Sequence, residues 1–137
     1  MKKTPLNGKS KQPAAILRRK IDRLCSIVVR SCNECRACGF VHDDNRVYSC
    51  SQRLECAHIF SRGWLNLRHH PANMVSLCNI HHRYFTQNPD EWKRFIEMAY
   101  PGRLDWLYEL RQDKDYEGQE YWLAYWNGEL KKLKEAA

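Results

Sequence analysis

The sequence has no apolar run approaching the roughly 18 residues that a membrane-spanning helix needs, and its N-terminus is basic and polar, without the apolar core of a secretion signal. A cytoplasmic protein with no membrane partner is the expectation. Acidic residues are scarce at one end. Over residues 1–23, Asp22 stands alone against Lys2, Lys3, Lys9, Lys11, Arg18, Arg19, Lys20 and Arg23, so this stretch carries the whole formal excess of +7. The rest of the chain is neutral overall. A basic arm on a neutral body attracts polyanions without sequence preference and speeds encounter with them; the plainer reading is a solubilising tail. There is no internal repeat, which excludes a solenoid or propeller. The 137 residues, 43% hydrophobic, suffice for one domain with a modest core.

Cysteine is what the chain has in quantity. The seven cysteines are odd in number, accompany no secretion signal and fall at metal-knuckle spacings, so they are read as reduced rather than paired.

Residues 1–12 are rich in Lys, Ser, Pro and Gln without apolar periodicity and are expected to be disordered. A helix should begin near Pro13, with Leu17, Ile21, Leu24 and Val28 as its buried stripe and Arg19, Arg23 and Arg30 opposite. After a polar turn at His42, Asp43, Asp44 and Asn45, residues 46–59 have the composition of one or two short strands, and residues 74–77 of another. Helices follow over 79–87, from Pro89 with Asn88 as N-cap, over 104–112 and over 119–134, with Trp106, Trp122 and Trp126 as packing residues. The fold class is α+β.

Cys35 and Cys38 form C-x-x-C followed by Gly39; Cys78 and His81 form C-x-x-H at a helix start. Zinc favours a tetrahedron of thiolates and imidazoles, and two short-spaced pairs supply one. Cys32 and Cys35 make a competing first pair. Gly39 favours the later pair, because a tight knuckle needs a permissive residue after its second cysteine. His81 and His82 differ by about 100° around a helix and cannot share one site. The spacing from Cys78 gives His81 to zinc and frees His82. Cys25, Cys32, Cys50 and Cys56 default to small packing residues, His42 to a turn, and His69 and His70 to a solvent-facing loop.

With CRACG, ECAHIFSR, RHHPANMVSLC and CNIHHRYF in place, the chain resembles an HNH endonuclease of the small phage-encoded kind over residues 30–100. The resemblance implies a zinc-stabilised ββα-metal (His-Me finger) core, here with a basic N-terminal helix and C-terminal helices, forming one nuclease domain over 13–137. It implies His58 as general base, since a neutral imidazole with a pKa near about 6.5 can take a proton from water. Asn73 would orient that imidazole or support the metal. His82 would hold a divalent ion, magnesium or manganese first and nickel or zinc next, that polarises the phosphate and stabilises the leaving oxygen. His81 stands where the family's fourth zinc cysteine would be. Many members carry Asp or His just before the base, whereas here that position is Ala57; Glu55 is the candidate replacement, with a plain strand-surface charge as the alternative. Arg62, Arg68 and Arg83, with Arg18, Arg19, Lys20 and Arg23 of the basic helix, are the candidate phosphate contacts. DNA is the expected partner and RNA the second, inside a phage host cell, with a homodimer among the assemblies the family allows. The same knuckles would also suit a noncatalytic zinc-containing nucleic-acid-binding module.

Overall fold

The computed structural model describes residues 13–137; the expected disordered arm, residues 1–12, lies outside them. Helix α1 (Ala14–Arg30) starts directly after Pro13, whose carbonyl accepts from the Ile16 and Leu17 amides. Its buried residues are Ile21 and Cys25, flanked by Leu17, Leu24 and Val28, while Arg19, Arg23 and Arg30 stay exposed.

Strands β1 (Leu54–His58) and β2 (Met74–Cys78) pair antiparallel, Leu54 opposite Cys78 and His58 opposite Met74. Side chains alternate across a strand. Cys56 and Met74 therefore meet Ile21, Cys25, Trp122 and Trp126, the last two from α6 (Gln119–Ala136). Ala57, Val75 and Leu77 meet Phe40, Phe85, Phe95 and Ile96 on the other face. The sheet thus separates two cores, and every residue of β2 is buried. By the same parity Glu55 shares the face of Ala57, and His58 the face of Cys56.

The expected strand content of 46–59 reduces to β1. Upstream, among the described residues, there is only an isolated bridge between Val41 and Val47, and none of these residues supplies a partner strand for 48–53. His42 is not a surface turn residue. It is 2% exposed and wedged among Phe40, Tyr48 and Tyr84.

The β1–β2 connection contains α2 (Leu65–Arg68) and a 3-10 turn (Pro71–Asn73). Helix α3 (Asn79–Gln87) begins where β2 ends, and α4 (Pro89–Ala99) follows at once. Asn88 is the N-cap residue of α4 as expected and its carbonyl accepts from the Trp92 amide, but its side chain makes no cap bond and donates back to the Tyr84 carbonyl at 2.8 Å. Gly102, at φ +82°, turns the chain into α5 (Arg103–Arg111). Asn66 of α2 then donates to the Leu110 and Arg111 carbonyls at 2.6 and 2.8 Å, satisfying acceptors that the end of a helix leaves open. Trp122 and Trp126 are core residues as expected, whereas Trp106 is half exposed. No helix among the described residues is long and apolar enough to cross a membrane.

Candidate functional site

The junction of β2 and α3 gathers sulfur and nitrogen. Cys78 is the N-cap of α3, and its Sγ accepts from the His81 amide at 3.4 Å. Nδ1 of His81 lies 3.6, 3.5 and 3.2 Å from the sulfurs of Cys35, Cys50 and Cys78. In a tetrahedral zinc site, metal–ligand distances near 2.3 Å for sulfur and 2.0 Å for nitrogen put the S···N edge at about 3.5 Å. The four side chains fit a single metal ion and are consistent with zinc. Burial opposes ionisation of Cys78, but backbone hydrogen bonds from His81 and Ser51 outweigh it and lower the thiol's pKa toward the thiolate that a metal requires.

The expected set was Cys35, Cys38, Cys78 and His81. The structure brings together three of these and puts Cys50 where Cys38 was expected; Cys38 is exposed and borders Cys50 from outside the group. The predicted knuckle turn is present, with the Cys38 amide on the Cys35 carbonyl and Gly39 at φ +82°. Its second cysteine, Cys38, meets the Cys50 side chain from outside the four-ligand group. Spacing does not single out Cys50, because it has no cysteine or histidine at knuckle distance and arrives through irregular chain.

Beside this centre, a cleft of about 650 Å³ is lined by Glu55, His58 and His82, by Asp22, Ser26 and Arg30 of α1, and by Arg53 and Arg62. His82 Nδ1 lies 2.8 Å from Glu55 Oε1, with both side chains about one-third exposed. The pair presents a hard carboxylate and a borderline imidazole, partly exposed, to the cleft.

His58 enters the cleft from the opposite parity of β1. Burial, with help from the Arg62 charge, lowers its pKa to about 4; Asp22 and a hydrogen bond to the Arg68 backbone pull the other way. Nε2 is buried and meets no protein partner. Asn73 does not orient this ring. Wholly buried, it accepts from the Phe60 amide at 2.8 Å and donates to the carbonyls of Phe60 and Leu67, which commits its amide to holding the β1–β2 connection in shape.

Asp22 received no role from the sequence, yet it is a hub. Arg68 binds it through Nε at 3.1 Å and Nη2 at 2.7 Å, His69 through Nε2 at 2.8 Å, and Arg62 through Nη1 at 3.3 Å. Burial disfavours its charge, but the bonds from His69 and Arg68 hold its carboxyl far below the usual carboxylate range. Arg68, expected on phosphate, is therefore committed inside the protein. His69 is buried rather than solvent-facing, and His70 rests against Trp106 and Trp122.

Of the other expected phosphate contacts, Arg62 lines the main cleft and Arg83 an adjoining pocket shared with Arg53, Glu55 and His82. Arg18 lines a separate small pocket, and Arg19, Lys20 and Arg23 are exposed along α1 outside the cleft lining. Arg30 and Arg53 take their place in the cleft.

Residues 35–88 match the family model described as HNH endonuclease, a match that covers less than half of the chain. No curated protein and no solved structure gives a significant match.

Proposed function

We propose that this chain is a metal-dependent endonuclease hydrolysing DNA phosphodiester bonds, in which β1, β2 and α3 form a ββα-metal core and residues 13–137 act as one catalytic unit. The observation that carries the reading is the convergence of His58, Glu55 and His82 on one arginine-lined cleft within and beside the HNH segment.

His58 is the general base. Its depressed pKa keeps the ring neutral at working pH, with a nitrogen free to accept the proton of an attacking water. A phosphate entering the cleft brings negative charge beside the ring and raises that pKa, so basicity grows when substrate is present. The water oxygen attacks phosphorus, the bond to the 3′ oxygen breaks, that oxygen takes a proton from a solvent water, and the products carry 5′-phosphate and 3′-hydroxyl ends. Arg30, Arg53 and Arg62 neutralise the phosphate. Glu55 and His82 would hold a divalent ion, magnesium or manganese first, which when bound supplies Lewis-acid polarisation and charge relief for the leaving oxygen. Glu55 serves from the same strand face as Ala57, the position that lacks the family's usual ligand. The Cys35, Cys50, Cys78 and His81 centre is structural: it ties residues 35 and 50 to the start of α3, and so fixes the helix that carries His82.

Supercoiled-plasmid cleavage with magnesium, manganese or nickel tests the reading. Cleavage that needs added metal and disappears in His58→Ala is the expected result, and the nicked-to-linear ratio reports whether two copies act together. RNA in place of plasmid decides between the two polymers. One observation favours a second reading, a noncatalytic DNA-binding module: Ala57 offers no donor, leaving two protein ligands at the cleft. Zinc-loaded protein that binds DNA but leaves it intact under all three metals would establish that module instead.

A further inference from the structure

We propose that Asp22, on a helix outside the HNH segment, is the positioning residue for His58, acting through Arg68. The inference rests on the reading of His58 as general base. Asp22, Ser26 and Arg30 recur at four-residue spacing, so one stripe of α1 forms a wall of the cleft. From that wall both carboxylate oxygens of Asp22 grip the guanidinium of Arg68, whose backbone lies against the His58 ring at the edge of the same cleft. The same carboxylate holds His69 and Arg62, and Arg68 Nη1 returns to the Arg62 carbonyl at 3.2 Å, closing the connection on itself. Asn73 is committed to Phe60 and Leu67, and Glu55 to His82. Asp22 thus ties α1 to the connection that carries Arg68 and Arg62 beside the base.

A carboxylate facing an anionic substrate also repels it, and this gives the role a signature that a merely structural ion pair lacks. Neutralising Asp22 lets His58 wander while removing the repulsion, so turnover falls while DNA binding holds or tightens.

The experiment uses the zinc-loaded full chain on a labelled duplex. kcat and KM are measured for wild type, Asp22→Asn, Asp22→Glu and His58→Ala, and DNA affinity is measured with and without Asp22→Asn in the His58→Ala background. The expected result is a loss of about tenfold or more in kcat for Asp22→Asn, equal or tighter binding, and substantial recovery in Asp22→Glu, which keeps the charge. If Asp22→Asn keeps kcat within about twofold, or loses kcat and affinity together, the proposal is overturned. Should Asp22→Asn fail to fold by circular dichroism, Arg68→Gln takes its place and must lose kcat alike. Survival of cleavage in His58→Ala would instead sink the general-base reading. Nitrogen-15 spectra of the His58 ring decide the positioning claim without turnover: a single tautomer in wild type that becomes mixed in Asp22→Asn supports it, and an unchanged ring overturns it.

Discussion

His58 is unusual among the histidines of this chain because strand parity drives it under α1, where its buried Nε2 has no partner although the residue lines the cleft. Burial and the nearby Arg62 lower its pKa to about 4. In a carbon-13 histidine titration its ring is expected to change near that pH in the folded protein and near about 6.5 in urea. Because the folded pKa is the lower of the two, the associated stability is complete above the unfolded value and is lost as pH falls from about 6.5 toward 4, by roughly 3 kcal/mol at most. Unfolding midpoints measured across that window in wild type and His58→Ala isolate the contribution; a ring that titrates normally would remove it. Asn73 makes a different kind of prediction. Its amide satisfies the Phe60 amide and two carbonyls in a wholly buried place, so Asn73→Ala leaves those groups without partners and should destabilise by roughly 2–4 kcal/mol. Urea denaturation checks it. A variant as stable as wild type but inactive would return Asn73 to direct catalysis.

At the scale of elements, the junction of β2 with α3 holds the metal centre, and it separates two cysteines that the sequence could not rank. Cys50→Ser should lose bound zinc and unfold at lower temperature, whereas Cys38→Ser should keep stoichiometric zinc, because only Cys50 lies within reach of His81 Nδ1. Metal analysis of the two purified variants decides it, and the reverse outcome would restore the C-x-x-C pair. The same junction shows what was legible. β2, α3 and α4 could be read nearly to the residue, since their apolar positions repeat with the local period and Pro89 marks a helix start. Cys35, Cys78 and His81 were legible because each belongs to a short-range pair. Cys50 was not, nor were Asp22, Arg30 and Arg53, because their roles exist only after α1 and β1 have met across the sheet. Helix α2 is a single turn whose anchor, Leu67, is identifiable as buried only from the tertiary packing.

At the scale of the whole molecule, the HNH segment cannot account for its own burial. One face of its sheet is covered by Phe95 and Ile96 of α4 and the other by Ile21, Cys25, Trp122 and Trp126, all outside residues 35–88. Trp126 also donates its indole N–H to the His69 carbonyl at 2.9 Å, tying α6 to the connection that Asp22 holds beneath His58. Replacing one buried tryptophan by alanine costs about 3–5 kcal/mol. Losing two thus approaches the roughly 5–15 kcal/mol of a whole domain. The two cores lie on opposite faces of the sheet, however, and the Cys35, Cys78 and Phe85 side does not contain α6. Truncation after Gly118 should therefore separate the two halves of the design: zinc stays bound, because its ligands pack with α3 and α4, while the His58 side loosens and cleavage falls by about a hundredfold or more. Zinc content and plasmid cleavage measured on the same truncated preparation test this. Retained cleavage would mean that α6 only covers the sheet, and loss of zinc along with cleavage would mean that the two cores unfold as one.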